Sequence, residues 1–298
     1  NLKGLLRMKI LDGGMGIYLR ESGAPFKQPE WSALALIEAP ETVKNAHLAY
    51  VDAGADIITT NSYALVPFHI GEKRFYEDGP NLLARAGKLA ADVREESNKG
   101  LIVASSIPPV FGSYEPEKFR PDDAVHLLNM FKENLVEFSD VILAETVSSI
   151  KEAEVIQAIF CGANQPLWIS FSLKDEINAE KPLLRSGETL EHAISSLTAK
   201  NIEAVLINCN QPEVMESALR VAKKTLPKNK ELGVYANAFQ PTYNEKKANS
   251  GHSELRDDLS PSEYFNYAEL WKSLGATIIG GCCGVGVQHI SELKKLKV

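Results

Sequence analysis

Two cysteines stand side by side at positions 282 and 283, in the stretch GGCCGVG (280–286), and a third, Cys209, lies within NCN (208–210). With four cysteines in 298 residues, this is a concentrated use of a scarce side chain. A disulfide between immediate neighbours closes a strained small ring, so pairing with each other is a poor use of the dipeptide. A shared metal ion is a better one. Thiolates suit a soft cation such as zinc (Zn2+), and three of them leave one corner of a tetrahedron open, as a catalytic rather than a closed structural centre requires. The competing reading is that these are small buried apolar side chains; Cys161, beside Gly162 at the end of a helical stretch, is read that way.

Consecutive residues of a straight strand point to opposite faces, so Cys282 and Cys283 reach one ion only if their strand ends in a turn. Gly280, Gly281 and Gly284 supply the freedom for it. Bringing Cys209 to the same place is a matter of topology. A short β-branched run ending in a polar or glycine cluster, followed by an amphipathic helical stretch, recurs along the chain. Strands are expected at 8–14, 55–61, 101–106, 140–146, 167–172, 203–210, 232–237 and 276–283. Their near-continuous apolar character fits a parallel sheet covered on both faces. Eight strands alternating with about as many helices predict an α/β chain folded as one (β/α)8 TIM barrel domain over 1–298, with a doubly wound open sheet as the runner-up.

Helices are expected at 121–139, with Val125, Leu128, Leu135 and Phe138 inward, at 186–201 around Leu190, Ala193, Ile194 and Leu197, and at 260–275, capped by Ser260 and ended by Gly275. The connections 63–80, 173–187 and 238–261 are long enough to be lids or binding loops at the barrel's carboxyl end. Strand ends converge there. Asp12, Asn61, Glu145, Cys209, Asn237, Cys282 and Cys283 would share one mouth. Taken singly, Asp12 could be a turn former before glycines and Glu145 a charge at a helix start. The six histidines, among them His69 and His252 on long loops, form no metal-binding spacing and are expected mostly at the surface. Tyr63, Phe68, Phe111, Tyr114 and Tyr243 lie in or near mouth loops, where an aromatic face can attract a cation.

The segments LDGGMG, PEWSA, AGADIITTNSY, AETVSSIKEAE, INCN and GGCCGVGVQHI together resemble the homocysteine S-methyltransferase family, in order from about residue 8 to 293. The resemblance implies a zinc-bearing barrel that moves a methyl group from a donor to homocysteine sulfur, giving methionine. It implies Cys209, Cys282 and Cys283 as zinc ligands. Asp12 and Glu145 would hold the substrate's ammonium group, and the amides around Gly13 and Gly14 its carboxylate. Asn237 matches an asparagine that approaches zinc while substrate is absent. The chain departs from the family at Ile17, at Pro108 within SSIPP, and at Ala236 in YAN, where a proline is usual.

Hydrophobic content of 44% and charged content of 24% are those of a soluble globular chain. A net charge of −7 disfavours nucleic acid as a partner, and no apolar run approaches the ~20 residues that cross a bilayer. Sparse cysteines point to a reducing cytoplasm, and Met8 reads as the start, with 1–7 an appended or disordered segment. The expected activity is zinc-dependent transfer from a small cationic donor, S-methylmethionine or S-adenosylmethionine, by a monomer or small homo-oligomer. A zinc-binding or thiol-sensing barrel without turnover is the alternative. No strand end carries the lysine a Schiff-base aldolase needs, and adjacent cysteines lack the CxxC turn of a redox dithiol.

Overall fold

The computed structural model describes residues 7–97, 100–240 and 254–297. All eight expected strands form: β1 (Lys9–Ile10), β2 (Ile57–Thr59), β3 (Ile102–Ile107), β4 (Val141–Val147), β5 (Leu167–Phe171), β6 (Ile202–Asn208), β7 (Glu231–Ala236) and β8 (Ile278–Gly281). They pair in parallel in the order β1-β8-β7-β6-β5-β4-β3-β2. One further parallel bridge, Leu11 to Ile57, joins β1 to β2, and the Asp12 amide donates to the Ile57 carbonyl beside it at 2.9 Å. The sheet is thereby nearly closed, with helices between successive strands. This is a (β/α)8 TIM barrel, not an open sheet.

Two apolar layers hold it. The larger lies between strands and helices, around Leu36, Tyr50, Phe75, Phe131, Phe160 and Trp271. A smaller one fills the barrel itself, built from Leu11, Ile57, Ala104, Leu143, Trp168, Leu206, Tyr235 and Ile278. Because strand side chains alternate, the next inward positions on β2 to β6 are Thr59, Ser106, Glu145, Ser170 and Asn208. Within one step along the strands the interior changes from apolar plug to polar floor. The functional site sits on that floor.

Several helical expectations need correction. The 121–139 helix is α-helical only over Pro121–Asn134, followed by a short tight turn at Val136–Phe138. Its buried stripe is Ala124, Leu127, Leu128 and Phe131, and Val125 is exposed. The 186–201 helix is only Leu190–Ser195, because the Thr198 and Ala199 amides donate to the Gln157 side chain instead of continuing it. Most of 63–80 is helix, Pro67–Ile70 and the start of Glu72–Ser97, since Phe75, Leu82, Leu83 and Ala86 form a buried stripe that outweighs Pro80. The third helix holds: the Ser260 hydroxyl accepts from the Glu263 amide, and Gly275 leaves at φ 103. Cys161 is exposed at the end of Ile150–Phe160. Residues 1–6, Tyr243, His252 and most of the 238–261 connection lie outside the described residues. No helix among the described residues is long and apolar enough to cross a membrane.

Two histidines expected at the surface are buried. His69 shares a hydrogen bond with the Pro29 carbonyl at 3.0 Å. His47, inside Pro40–Ala53, is fully buried, and neither ring nitrogen meets a partner among the described residues. Burial lowers its pKa from 6.5 to about 4. The unfolded chain takes up a proton that the folded ring refuses, so stability is lost as pH falls from ~6.5 to ~4, by up to about 3 kcal/mol. His47→Leu is expected to flatten that part of the profile of melting temperature against pH. Parallel profiles for the two proteins would show the assignment to be wrong.

Candidate active site

The Cys282–Cys283 pair leaves β8 through a β-turn. The Val285 amide donates to the Cys282 carbonyl at 3.1 Å, and Gly284, the third residue of the turn, has φ 80. Only glycine takes that conformation freely, so the turn that lets both cysteines face one point depends on Gly284. Gly280 and Gly281 serve another purpose than flexibility. A Cβ on Gly280 would lie 2.5 Å from Leu11 Cβ, and one on Gly281 would lie 2.1 Å from Val285 Cγ1. Tyr264 clamps the base of the turn, donating to the Gly280 carbonyl at 2.7 Å and accepting from the Ala236 amide at 3.1 Å.

Cys209 follows β6 with φ 57, in the left-handed region. Holding a non-glycine residue there costs about 1–3 kcal/mol. The Cys209 amide donates to the Tyr235 carbonyl at 3.1 Å, and its own carbonyl accepts from Asn237 Nδ2 at 3.0 Å. These bonds fix the strained residue from both sides. As a result the sulfurs of Cys209, Cys282 and Cys283 all lie within 4.8 Å of one another, with Cys209 and Cys283 3.8 Å apart. Sulfurs bound to one tetrahedral zinc at ~2.3 Å are separated by ~3.8 Å, so the donor set and its spacing fit such an ion. Cys209 is buried, Cys282 half-buried and Cys283 exposed, which leaves the cluster open toward the mouth. Hydrogen bonding to the other two sulfurs, reinforced by burial, holds the Cys282 thiol well above its usual range. Three thiolates this close need a cation to offset their charge.

Two buried carboxyl groups share the floor. Glu145 stands at a bulge in β4, ahead of Thr146 at φ 60. Its Oε1 accepts from the Ser106 hydroxyl and its Oε2 from the Tyr235 hydroxyl at 3.1 Å. Asp12 Oδ2 accepts from the Thr59 amide at 2.7 Å and from the Thr59 hydroxyl at 3.1 Å. Burial pushes Glu145 up to about 7 and Asp12 up to about 8, against the pull of these hydrogen bonds. The Glu145 charge adds to the rise of Asp12, and Cys209 to that of Glu145, so acids and sulfurs act within one electrostatic neighbourhood. Two buried acids shifted this far mark the floor as the candidate functional site.

Not every expected contact fits. The Gly14 amide donates to the Val285 carbonyl at 2.9 Å, so it is spent inside the fold and not offered to a carboxylate. Gly13 and Gly14 are glycines for close packing: a Cβ would come within 2.4 Å of the Val285 carbonyl oxygen and 2.7 Å of that of Cys282. Asn237 is committed as a brace, its Oδ1 accepting from Gln211 Nε2 and the Phe239 amide, both at 3.2 Å, while its Nδ2 holds Cys209. Asn61 is turned to the backbone, its Nδ2 donating to the Ser32 carbonyl at 3.0 Å.

Residues 9–296 match the family described as homocysteine S-methyltransferase. The chain belongs to the homocysteine S-methyltransferase family. Homocysteine S-methyltransferase 1 of Brassica oleracea var. italica is 31% identical, over 96% of this chain and 92% of its own length. The Arabidopsis thaliana protein of the same name is 30% identical at the same coverage. The metallated form of the homocysteine methyltransferase MmuM from Escherichia coli superposes with a TM-score of 0.78 at 25% identity, covering 98% of this chain and 97% of that one.

Family membership puts the departures in physical terms. Ala236 has the backbone N–H that a proline would lack, and Tyr264 accepts it. Ile17 is buried in the short helix Met15–Glu21, and Pro108 follows β3, two residues after Ser106. Ser106, Tyr235 and Thr59 were not expected in the site. Their signal was parity: each occupies an inward position of its strand, at or just above the last apolar layer of the barrel.

Proposed function

We propose that this member of the family transfers a methyl group from a small sulfonium donor to the sulfur of homocysteine, using a zinc ion held by Cys209, Cys282 and Cys283. The observation that carries the reading is the convergence of three sulfurs within 4.8 Å, open toward the mouth, beside two buried carboxyl groups. Zinc, when bound, would supply the charge that keeps an incoming thiol ionised at neutral pH. The chain does the rest. Asp12 and Glu145 take the ammonium group, whose charge repays the cost of ionising buried acids. Ser106, Tyr235 and Thr59 fix those acids in place, and the plug of Trp168, Leu206 and Ile278 keeps water from below. A sulfonium donor fits because it leaves as a neutral thioether.

Methionine formation from S-methylmethionine, S-adenosylmethionine, betaine and methyltetrahydrofolate, measured on zinc-reconstituted protein, tests this directly. Turnover is expected with a sulfonium donor. A protein that holds zinc and homocysteine but makes no methionine from any of the four would be a thiol-binding barrel instead. A subtler outcome concerns Tyr235. Its hydroxyl favours the ionised form of Glu145, so Tyr235→Phe should raise that acid further. The acid limb of homocysteine binding is then expected to move upward by ~0.5–1 pH unit, read by calorimetric titration across pH.

A further inference from the structure

Arg185 lies in the connection between β5 and the helix Leu190–Ser195. Its Nε donates to Ser172 Oγ at 3.3 Å, and Nη2 donates to Asp175 Oδ2 at 3.2 Å. Asp175 accepts in turn from the Asn210 side chain at 2.7 Å and from the Gln211 amide at 3.1 Å, the two residues that follow Cys209. The neighbouring Ser186 amide donates to the Ser148 carbonyl just beyond β4, at 3.0 Å. The guanidinium is thus tied to the carboxyl ends of β5 and β6, and the loop that carries it also to that of β4. Its central carbon lies 4.9 Å from the centre of the Tyr114 ring. Tyr114 sits at φ 67, and burial, with the sulfurs of Cys209 and Cys283 adding to it, drives its phenol well above the usual range.

A cation stacked on this ring, and linked through Asp175 to the residues that follow Cys209, needs a reason in a site built to receive an ammonium group and a sulfonium. Asp175 offsets it incompletely. That carboxylate is 34% exposed against 19% for the arginine, it meets the guanidinium through one nitrogen, and its other oxygen serves Asn210 and Gln211. Nη1 donates to nothing among the described residues. Meanwhile the Gly14 amide is unavailable to a substrate carboxylate. We propose that Arg185, laid over Tyr114, binds the carboxylate of an amino-acid substrate at the mouth of the barrel. This rests on the methyltransferase reading, under which both homocysteine and S-methylmethionine bring such a group.

Calorimetric titration of the zinc-loaded protein separates the two sources. Homocysteine is compared with its decarboxylated analogue aminopropanethiol, and S-methylmethionine with the trimethylsulfonium ion. Arg185→Gln is expected to weaken one of the carboxylate-bearing ligands roughly 10- to 100-fold and to leave both carboxylate-free probes unchanged. The ligand that loses affinity identifies the source. Arg185→Lys, which keeps the charge and the pairing with Asp175 but not the planar fork, is expected to lose less. Equal weakening of all four ligands, or no change in either carboxylate-bearing one, would overturn the proposal. Because binding is read apart from turnover, this pattern without methionine formation would sink methyl transfer and leave the carboxylate site standing.

Discussion

Cys282→Ser is expected to strip the metal and bring methyl transfer to background, while the barrel stays folded. Serine keeps the size of the side chain but replaces a soft sulfur with a hard oxygen that holds its proton. Losing a direct ligand should cost more than the ~10–100-fold in metal affinity that an outer-shell change costs. The fold should tolerate it. The turn around Cys282 is set by backbone hydrogen bonds to Ala236 and Val285 and by the Tyr264 clamp, none of which uses the thiol. Removing one of three crowded sulfurs also relieves their mutual electrostatic interaction. Bound zinc by atomic absorption, methionine formation and thermal melting should move apart: the first two collapse and the third barely shifts. Cys161→Ser is the internal control, since Cys161 is exposed at a helix end and should change none of them. Full zinc occupancy in Cys282→Ser would remove the basis of the metal assignment.

The three cysteines were legible because their type is rare and the barrel rule says where strand ends meet. Their orientation was only half legible. A glycine at 284 can be read as a turn, but nothing in NCN announces that Cys209 adopts φ 57, because that strain is imposed by Asn237 and the Tyr235 carbonyl from another strand. The strands were plain as apolar runs, yet β1 was drawn too long: Gly13 and Gly14 look like its continuation but pack against the Cys282–Val285 turn instead of pairing. Helix ends failed where a distant side chain took over, as Gln157 does at Thr198 and Ala199. Ser106 and Tyr235 are common residues with no motif around them. They acquire meaning only once the register places them opposite Glu145, and a count of inward parity along each strand would have found both. Arg185 was harder still, since a loop has no period to count.

Glu145→Gln is expected to keep the metal and lose the substrate. Glutamine preserves the volume; its amide oxygen can accept from one of the Ser106 and Tyr235 hydroxyls and its NH2 can donate to the other, so the floor should not collapse. It cannot carry the charge that faces an ammonium group. Truncating one partner of a desolvated charge pair costs about 2–5 kcal/mol, and the retained amide oxygen places this change toward the lower end, on the order of 10²-fold in homocysteine affinity. The dependence on pH sharpens the test. In the unliganded protein Glu145 ionises at about 7 and Asp12 at about 8, both raised by burial. A cationic group binds the ionised pair, so wild-type affinity should climb as pH rises through this window and fall as pH drops below it. In Glu145→Gln the limb near 7 disappears, and Asp12, relieved of a neighbouring negative charge, should ionise at lower pH than in the wild type. Calorimetry across pH with parallel zinc analysis reads both effects. Loss of zinc from Glu145→Gln, or a homocysteine affinity that ignores the substitution, would show that this carboxylate serves the metal or the fold and not the ammonium group.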